Sequence, residues 1–450
     1  MESIMLNQQL KIRRTAILIG VILWTMSFNL ACEDSRNEQK KELKVDCERQ
    51  RRPIIFIHGF LAAGDTWNRQ ILRLLASGSC AEDIRVFDWN TLDMSADHNA
   101  DLDQVIEQML TDSSFEQIDL VGHSAGGGVA YNYLAQAEYS SKVYNYVHIG
   151  SFANEEPAGP MAEVPTLNLW SRDDLVVDSG DIPGATNVEI MGLDHYAIAT
   201  SLESFNQITE FLYEAEALEV DPLIKSEQDT KTSIQIAGKV LSLGENKALA
   251  QGSIEVWKVD ELGQRINLID TVLSDANGSF EIKNLEANRF YEWVPNLNDP
   301  SAPNVRYYTP ILQQDQAYLY LRTFPGEGSL ASILVRQLPQ NESQTSLVLF
   351  NAHRAFLADQ DQLSLDGTPI LNQEVASAED TAIALFVFDI NEDGETDGRL
   401  PLFEGFPFLS AVDYPIQAQE TDSLNINYNG LELNVPKVAS KDATIVVIFP

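Results

Sequence analysis

The chain has 450 residues and a formal net charge of −37, with 30 Lys and Arg against 67 Asp and Glu. So acidic a chain repels nucleic acid and anionic lipid surfaces, which sets aside the nucleic-acid binders. An apolar content of 44% over this length can bury more than one core, and three cysteines leave an odd one in an exported chain.

At the N-terminus, Lys11, Arg13 and Arg14 precede the apolar run Ala16 to Trp24, a charged and then apolar pattern too short for a comfortable membrane span. Leu30-Ala31-Cys32 and a polar stretch follow. Small residues before a Cys resemble a bacterial lipoprotein cleavage site, although Asn29 stands where an apolar residue is usual. Residues 1–31 are therefore expected to be a lipoprotein-type signal peptide and 32–47 a tether. Cys32 would carry the lipid, with ordinary secretion as the alternative. The expected location is the cell envelope or outside the cell. Lipidating Cys32 leaves Cys47 and Cys80, each shortly before a strand-like run, as an expected disulfide pair in an oxidising compartment.

Residues 48–217 alternate strand-like and helix-like segments, as in an α/β fold with a doubly wound, mostly parallel sheet. Ile54 to Ile57 leads into His58-Gly59-Phe60. Gln117 to Val121 leads into Gly122-His123-Ser124-Ala125-Gly126, and a helix-like run from Val129 to Ala135 follows. Strand, Gly-x-Ser-x-Gly and helix form the context of a nucleophile elbow, where Gly122 and Gly126 remove the Cβ atoms that would clash around a strained Ser124. A serine needs a base oriented by an acid. Downstream, Thr166 to Trp170 runs into Ser171-Arg172-Asp173-Asp174, and Asn187 to Met191 runs into Gly192-Leu193-Asp194-His195. Of six histidines only His195 has the right element, order and flanking glycine. His58 and His123 read as supports of their turns, and His148 as a core residue. Asp173 is taken as the acid, with Asp174 and Asp178 as rivals. An oxyanion hole needs two backbone N–H donors, expected from Ala125 and Phe60.

With these motifs in place, residues from about Pro53 to Tyr213 resemble the small bacterial triacylglycerol lipases and esterases of the α/β-hydrolase superfamily. The resemblance implies a carboxylester hydrolase working through a Ser124-Asp173-His195 triad and an acyl-enzyme. Lipid or small ester substrates and no cofactor for catalysis go with it. Only Gly150 to Pro165 lie where many lipases carry a helical lid, so a lidless site is expected.

Residues 218–232 are polar and aperiodic and read as a linker with few contacts across it. Beyond it, short alternating runs such as Ile234 to Leu243, Ser253 to Val259 and Ile266 to Leu273 predict all-β, sandwich-type domains. Residues 233–299 resemble a carboxypeptidase-regulatory-like β-sandwich. Residues 300–450 form a second β domain that would bind lipid or substrate. Asp389, Asn391, Asp393 and Asp397, with Gly394 at the sixth place, match the start of an EF-hand-type calcium loop, but Leu400 occupies the twelfth. A structural Ca²⁺ and a metal-free acidic turn both remain open. A different reading of the whole chain is a surface lipoprotein that binds or adheres through its β modules and keeps a residual hydrolase domain.

Overall fold

Apolar runs bounded by polar turns build a parallel sheet from the first half of the chain. Its strands are β1 (Ile54–Ile57), β2 (Ile84–Phe87), β3 (Ile118–His123), β4 (Val143–Ile149), β5 (Thr166–Trp170) and β6 (Thr186–Glu189). They lie in the order β2-β1-β3-β4-β5-β6, every neighbouring pair parallel. Both β1 and β3 are buried along their whole length, as parallel strands covered on two faces must be. Alternate residues feed opposite cores. Ile54 and Phe56 meet Trp67, Ile71 and Leu74 of one helical layer and Phe205, Ile208 and Leu212 of the helix Leu202–Tyr213. Ile55 and Ile57 meet Leu102, Ile106 and Met109 of the helix Asn99–Asp112 and Val129 and Tyr133 of the helix Ala125–Leu134. The helix Leu202–Tyr213 starts at a Ser201 cap and stops at Glu214, which adopts φ 53.

The computed structural model describes Cys47 and residues 51–449, apart from 94, 224–230, 298–301, 326–329, 397, 404–405 and 407. Two units are distinguished, Met1–Arg49 and Gln50–Pro450. Cys47 is the described residue of the first and is disulfide-bonded; in the second, Cys80 is disulfide-bonded. Cys32 and the leader lie outside the described residues. Among the described residues no helix is long and apolar enough to cross a membrane.

The remainder is mostly β. Strands β7 (Ser233–Ser242), β8 (Ser253–Val259), β9 (Arg265–Leu273), β10 (Ser279–Glu286), β11 (Phe290–Asn296), β12 (Val305–Thr309) and β13 (Gln316–Thr323) are followed by further strands to Thr444–Phe449. A three-stranded sheet has the order β10-β7-β13. A nine-stranded sheet combines β8, β9 and β11 with β12 and later strands, including Leu347–Asn351, Ala384–Phe388 and Leu409–Asp413. Strands from either side of residue 300 thus share sheets instead of forming two separate sandwiches. Long-range parallel pairings, β7 with β13 and β12 with Thr444–Phe449, knit them together. Local alternation carries no information about such pairings.

The β region also packs on the α/β layer more closely than a polar linker implies. Leu241 of β7 and Tyr320 of β13 belong to the same core as Ile54, Phe56 and Trp67. Lys239 lies 2.5 Å from Asp88, and Arg322 lies 2.5 Å from Asp65. Within the expected linker, Asp221 accepts from the buried Arg73 guanidinium at 3.1 and 2.6 Å. A buried Arg needs a counter-ion, so this stretch is pinned to the helix Asn68–Ala76.

Candidate active site

Chain order reverses between β1 and β3, and the turns at the carboxyl ends of these strands meet there. Ser124 sits at φ 53 and ψ −126, a strained conformation for a residue with a side chain. Its neighbours explain why the turn needs glycine. A Cβ on Gly122 would lie 2.8 Å from the Gly126 carbonyl oxygen, and one on Gly126 would lie 2.5 Å from that of His58. The elbow is braced by Ser124 N–H donating to Ile149 at 3.0 Å and by Ser151 Oγ donating to the Ser124 carbonyl at 2.8 Å.

Ser124 Oγ is 2.9 Å from His195 Nε2, and His195 Nδ1 is 2.7 Å from Asp174 Oδ2. The His195 and Asp174 side chains are buried. The carboxylate fixes the tautomer, because Nδ1–H must donate to it and leave Nε2 to accept from the serine hydroxyl. Asp174 Oδ1 in turn accepts from Val176 N–H at 2.9 Å and Val177 N–H at 3.3 Å.

Here the expected acid is corrected. Asp173 is exposed, and its Oδ2 accepts from Gly192 N–H at 2.6 Å, tying the β5 turn to the β6 turn. Consecutive residues of one tight turn point to opposite sides, and it is Asp174 that faces the imidazole. Asp178 is also exposed. The acid's local signature lay in the two N–H groups beyond it, which an Asx-type turn aims back at Asp174.

Gly59 runs directly over Ser124: a Cβ there would lie 3.0 Å from Ser124 Cβ and 3.4 Å from its Oγ. The backbone leading to Phe60 is therefore at the serine, opposite the start of the helix that Ala125 opens. Below it, His123 is buried with Nε2 2.8 Å from the His195 carbonyl oxygen, and burial holds its pKa well below the usual imidazole range. Burial likewise pushes His58 and His148 down to about 4. His148 is satisfied by Tyr146 Oη at 2.8 Å and the Phe152 carbonyl at 3.1 Å. These three are held neutral by burial and support their surroundings, while the His195 ring nitrogen is the one that meets Ser124 Oγ.

Two groups at this site come from the β region and had no sequence signal. Phe408 stacks on the His195 ring at 5.5 Å between centroids and 17° between planes, and it adopts φ 78, unusual for a bulky residue. Asp194 beside His195 accepts from Ala355 N–H at 3.2 Å. Ser124 opens into a cleft of about 730 Å³ lined by Trp89, His98, Tyr131, His148, Phe152 and Val177 among others. Residues 150–165, where a helical lid could lie, contain turns and no helix.

In the candidate calcium loop, Asp389 Oδ2 accepts from Gly394 N–H at 2.9 Å and Asn391 Nδ2 donates to Asp393 Oδ2 at 2.9 Å. The carboxylates thus engage the loop itself, and Asp397 lies outside the described residues.

A family model for the alpha/beta hydrolase fold matches residues 52–164, and a second model, for a C-terminal domain, matches residues 334–450. A non-heme chloroperoxidase, CPO-A1 of Kitasatospora aureofaciens, is 34% identical over 96 residues, which is 19% of this chain and 32% of that protein. The chain thus spans about a third of the length of this curated relative. Among solved structures, a CIB-like hydrolase of Thermoplasma acidophilum is 18% identical, covering 37% of this chain and 89% of that one at a TM-score of 0.29. The lipase BlEst2 of Bacillus licheniformis is 15% identical, covering 37% and 94% at a TM-score of 0.30.

Proposed function

We propose, from the parallel-sheet α/β-hydrolase fold that begins at β1 and the mostly β sheets that follow it, that the protein is a serine carboxylester hydrolase of the lipase and esterase type. One observation carries the reading: the continuous hydrogen-bond chain from Ser124 Oγ through His195 to Asp174 at the carboxyl edge of the sheet.

The geometry supports a two-step acyl transfer. Ser124 Oγ attacks the ester carbonyl carbon while His195 Nε2 takes its proton. Asp174 stabilises the imidazolium and keeps the ring in place. Charge on the carbonyl oxygen is received by the N–H groups of Ala125 and Phe60, the second carried by the loop that passes over the serine. The tetrahedral intermediate collapses as His195 protonates the leaving alcohol, leaving an acyl-Ser124 ester. Water, deprotonated by the same Nε2, then releases the carboxylic acid and restores the serine.

The absence of a helix in residues 150–165 and the open cleft favour a lidless site that takes small or moderately apolar esters. The leader and Cys32 favour an exported protein held at the cell envelope by acyl chains, since stable anchoring takes more than one chain. Hydrolysis of a p-nitrophenyl ester series from acetate to palmitate tests the activity and its chain-length preference. Wild type must act on at least one member and Ser124→Ala on none. Cys32→Ser should move the protein from the membrane fraction to the soluble one.

A further inference from the structure

The loop that passes over Ser124 does not hold itself in place. Between His58 and Ala62 its internal hydrogen bonds are few, and Leu61 adopts φ 57, a conformation a branched apolar side chain resists. Part of its support comes from the α/β layer, from the segment after β2: Trp89 Nε1 donates to the His58 carbonyl at 2.9 Å, and Leu61 N–H donates to Thr91 Oγ1 at 3.1 Å. The rest comes from the tight turn that follows β7. There Gly244 accepts from Thr91 through its hydroxyl at 2.7 Å and its N–H at 3.1 Å. Gly244 stands at φ 74, and a Cβ on it would lie 3.2 Å from Leu61. Two residues on, the buried Asn246 reaches between the two segments. Its Nδ2 donates to the Ala62 carbonyl at 2.9 Å and to the Trp89 carbonyl at 2.8 Å, and lies 3.4 Å from His58 Nε2.

Nothing in this arrangement serves β7 alone. Asn246 spends both N–H groups on the α/β layer, while its buried Oδ1 has no hydrogen-bond partner among the described residues. Turning the amide over would aim Oδ1 at two carbonyl oxygens, so the orientation is fixed. A turn needing a φ of 52 at this position is satisfied equally by glycine, which leaves the amide to be explained by what it touches.

We propose that Asn246 is a positioning residue for the oxyanion loop, by which the β region sets the place of the Phe60 N–H over Ser124. The assignment rests on the hydrolase reading above. Donors to a developing oxyanion act only when held at the right spot, and a misplacement of about an ångström costs on the order of a hundredfold in rate. Ala62, two residues from the donor, is where Asn246 pulls.

The test uses the full-length protein with p-nitrophenyl acetate and its thionoester, the C=S analogue. Sulfur accepts hydrogen bonds poorly, so it gains less from oxyanion donors than oxygen does. Rates are normalised to sites titrated with a fluorophosphonate, so a partly unfolded variant still reports. Asn246→Gly keeps the backbone turn and removes the amide; Thr91→Val perturbs the same loop from the other side. For both, kcat on the oxygen ester should fall at least tenfold with KM within about twofold, and the oxygen-to-sulfur rate ratio should fall by a similar factor. A lower kcat with an unchanged ratio overturns the assignment, because a merely structural role would slow both substrates alike. So does an active wild type whose rate and ratio survive both substitutions. A wild type no faster than Ser124→Ala overturns the hydrolase reading and this inference together.

Discussion

On the side of the parallel sheet, Ser124, Asp174 and His195 are each carried on the turn that follows a parallel strand. By contrast, Asn246 and Phe408 arrive on segments of the β region, whose sheets join strands distant in the chain, such as β7 with β13 and β12 with Thr444–Phe449. In the proposed reaction the first group supplies the nucleophile, the base and the carboxylate that orients it. The second supplies alignment: one amide on the oxyanion loop and one ring on the imidazole. Removing a reacting group and removing its alignment should therefore differ by orders of magnitude, and the expected losses rank accordingly.

The largest loss is expected on the sheet side. Ser124→Ala and His195→Ala should each lower kcat by about 10⁵-fold or more, with an unchanged melting temperature for Ser124→Ala. Asp174→Asn should cost about 10⁴-fold, through loss of the correct tautomer. Asp173→Asn should stay within about threefold of wild type, since the Asp173 carboxylate is exposed and accepts from Gly192 N–H and not from His195. The reverse ranking of the two aspartates, read from steady-state kinetics, would return the role of the acid to Asp173.

Ending the chain after Ala217 puts the comparison under direct stress. It strips Leu241 and Tyr320 from the core that holds Trp67, and it leaves Asp65 without Arg322. Breaking a buried ion pair by removing one partner costs about 3–5 kcal/mol, a large part of a domain's stability. Such a truncated protein should lose activity on short and long esters alike and melt well below the full chain. Retention of the short-ester rate would show that the α/β layer aligns its own oxyanion loop.

A smaller change is expected from Phe408→Ala. Stacked aromatic pairs contribute about 0.5–1.5 kcal/mol, so kcat/KM should fall about two- to twelvefold. Phe408→Tyr, which keeps the ring, should restore most of the rate. An unchanged rate in Phe408→Ala would mean that the ring only fills space beside His195.

The smallest effect is a pH dependence of stability within the sheet itself. Burial pushes Asp119 of β3 up to about 6, against the pull of Arg52 at 3.1 Å. A carboxyl raised in the folded state holds its proton longer than in the unfolded one. Its stabilising contribution is thus present below about pH 4 and lost as pH rises through about 6. Asp119→Asn should therefore melt higher than wild type at pH 7, with the difference shrinking towards pH 4. A difference that grows on acidification would show that the ion pair with Arg52 outweighs burial.

Much of the α/β layer was legible because its signals are local. Apolar runs gave the strands, and the glycines around Ser124 marked a turn whose crowding is built from residues within five positions and from the strand beside it. His195 was singled out by its element, its order after Ser124 and its flanking glycine. The acid did not, because Asp173 and Asp174 share every sequence property that matters and differ only in which side of one turn they occupy. The β strands were also legible one by one, through alternation, but their assembly was not. Which strand lies beside which is decided by side-chain fit between surfaces far apart in sequence. That is why β8 and β12 share a sheet, why Asp221 is anchored on Arg73, and why Phe408 and Asn246 reach the site. Sequence by itself pointed to Ser124 and His195, since strain and strand order are properties of neighbouring residues. Only the tertiary structure put Asp174 rather than Asp173 on His195 and brought Asn246 to the loop beside Ser124, since those contacts depend on direction and on distant parts of the chain.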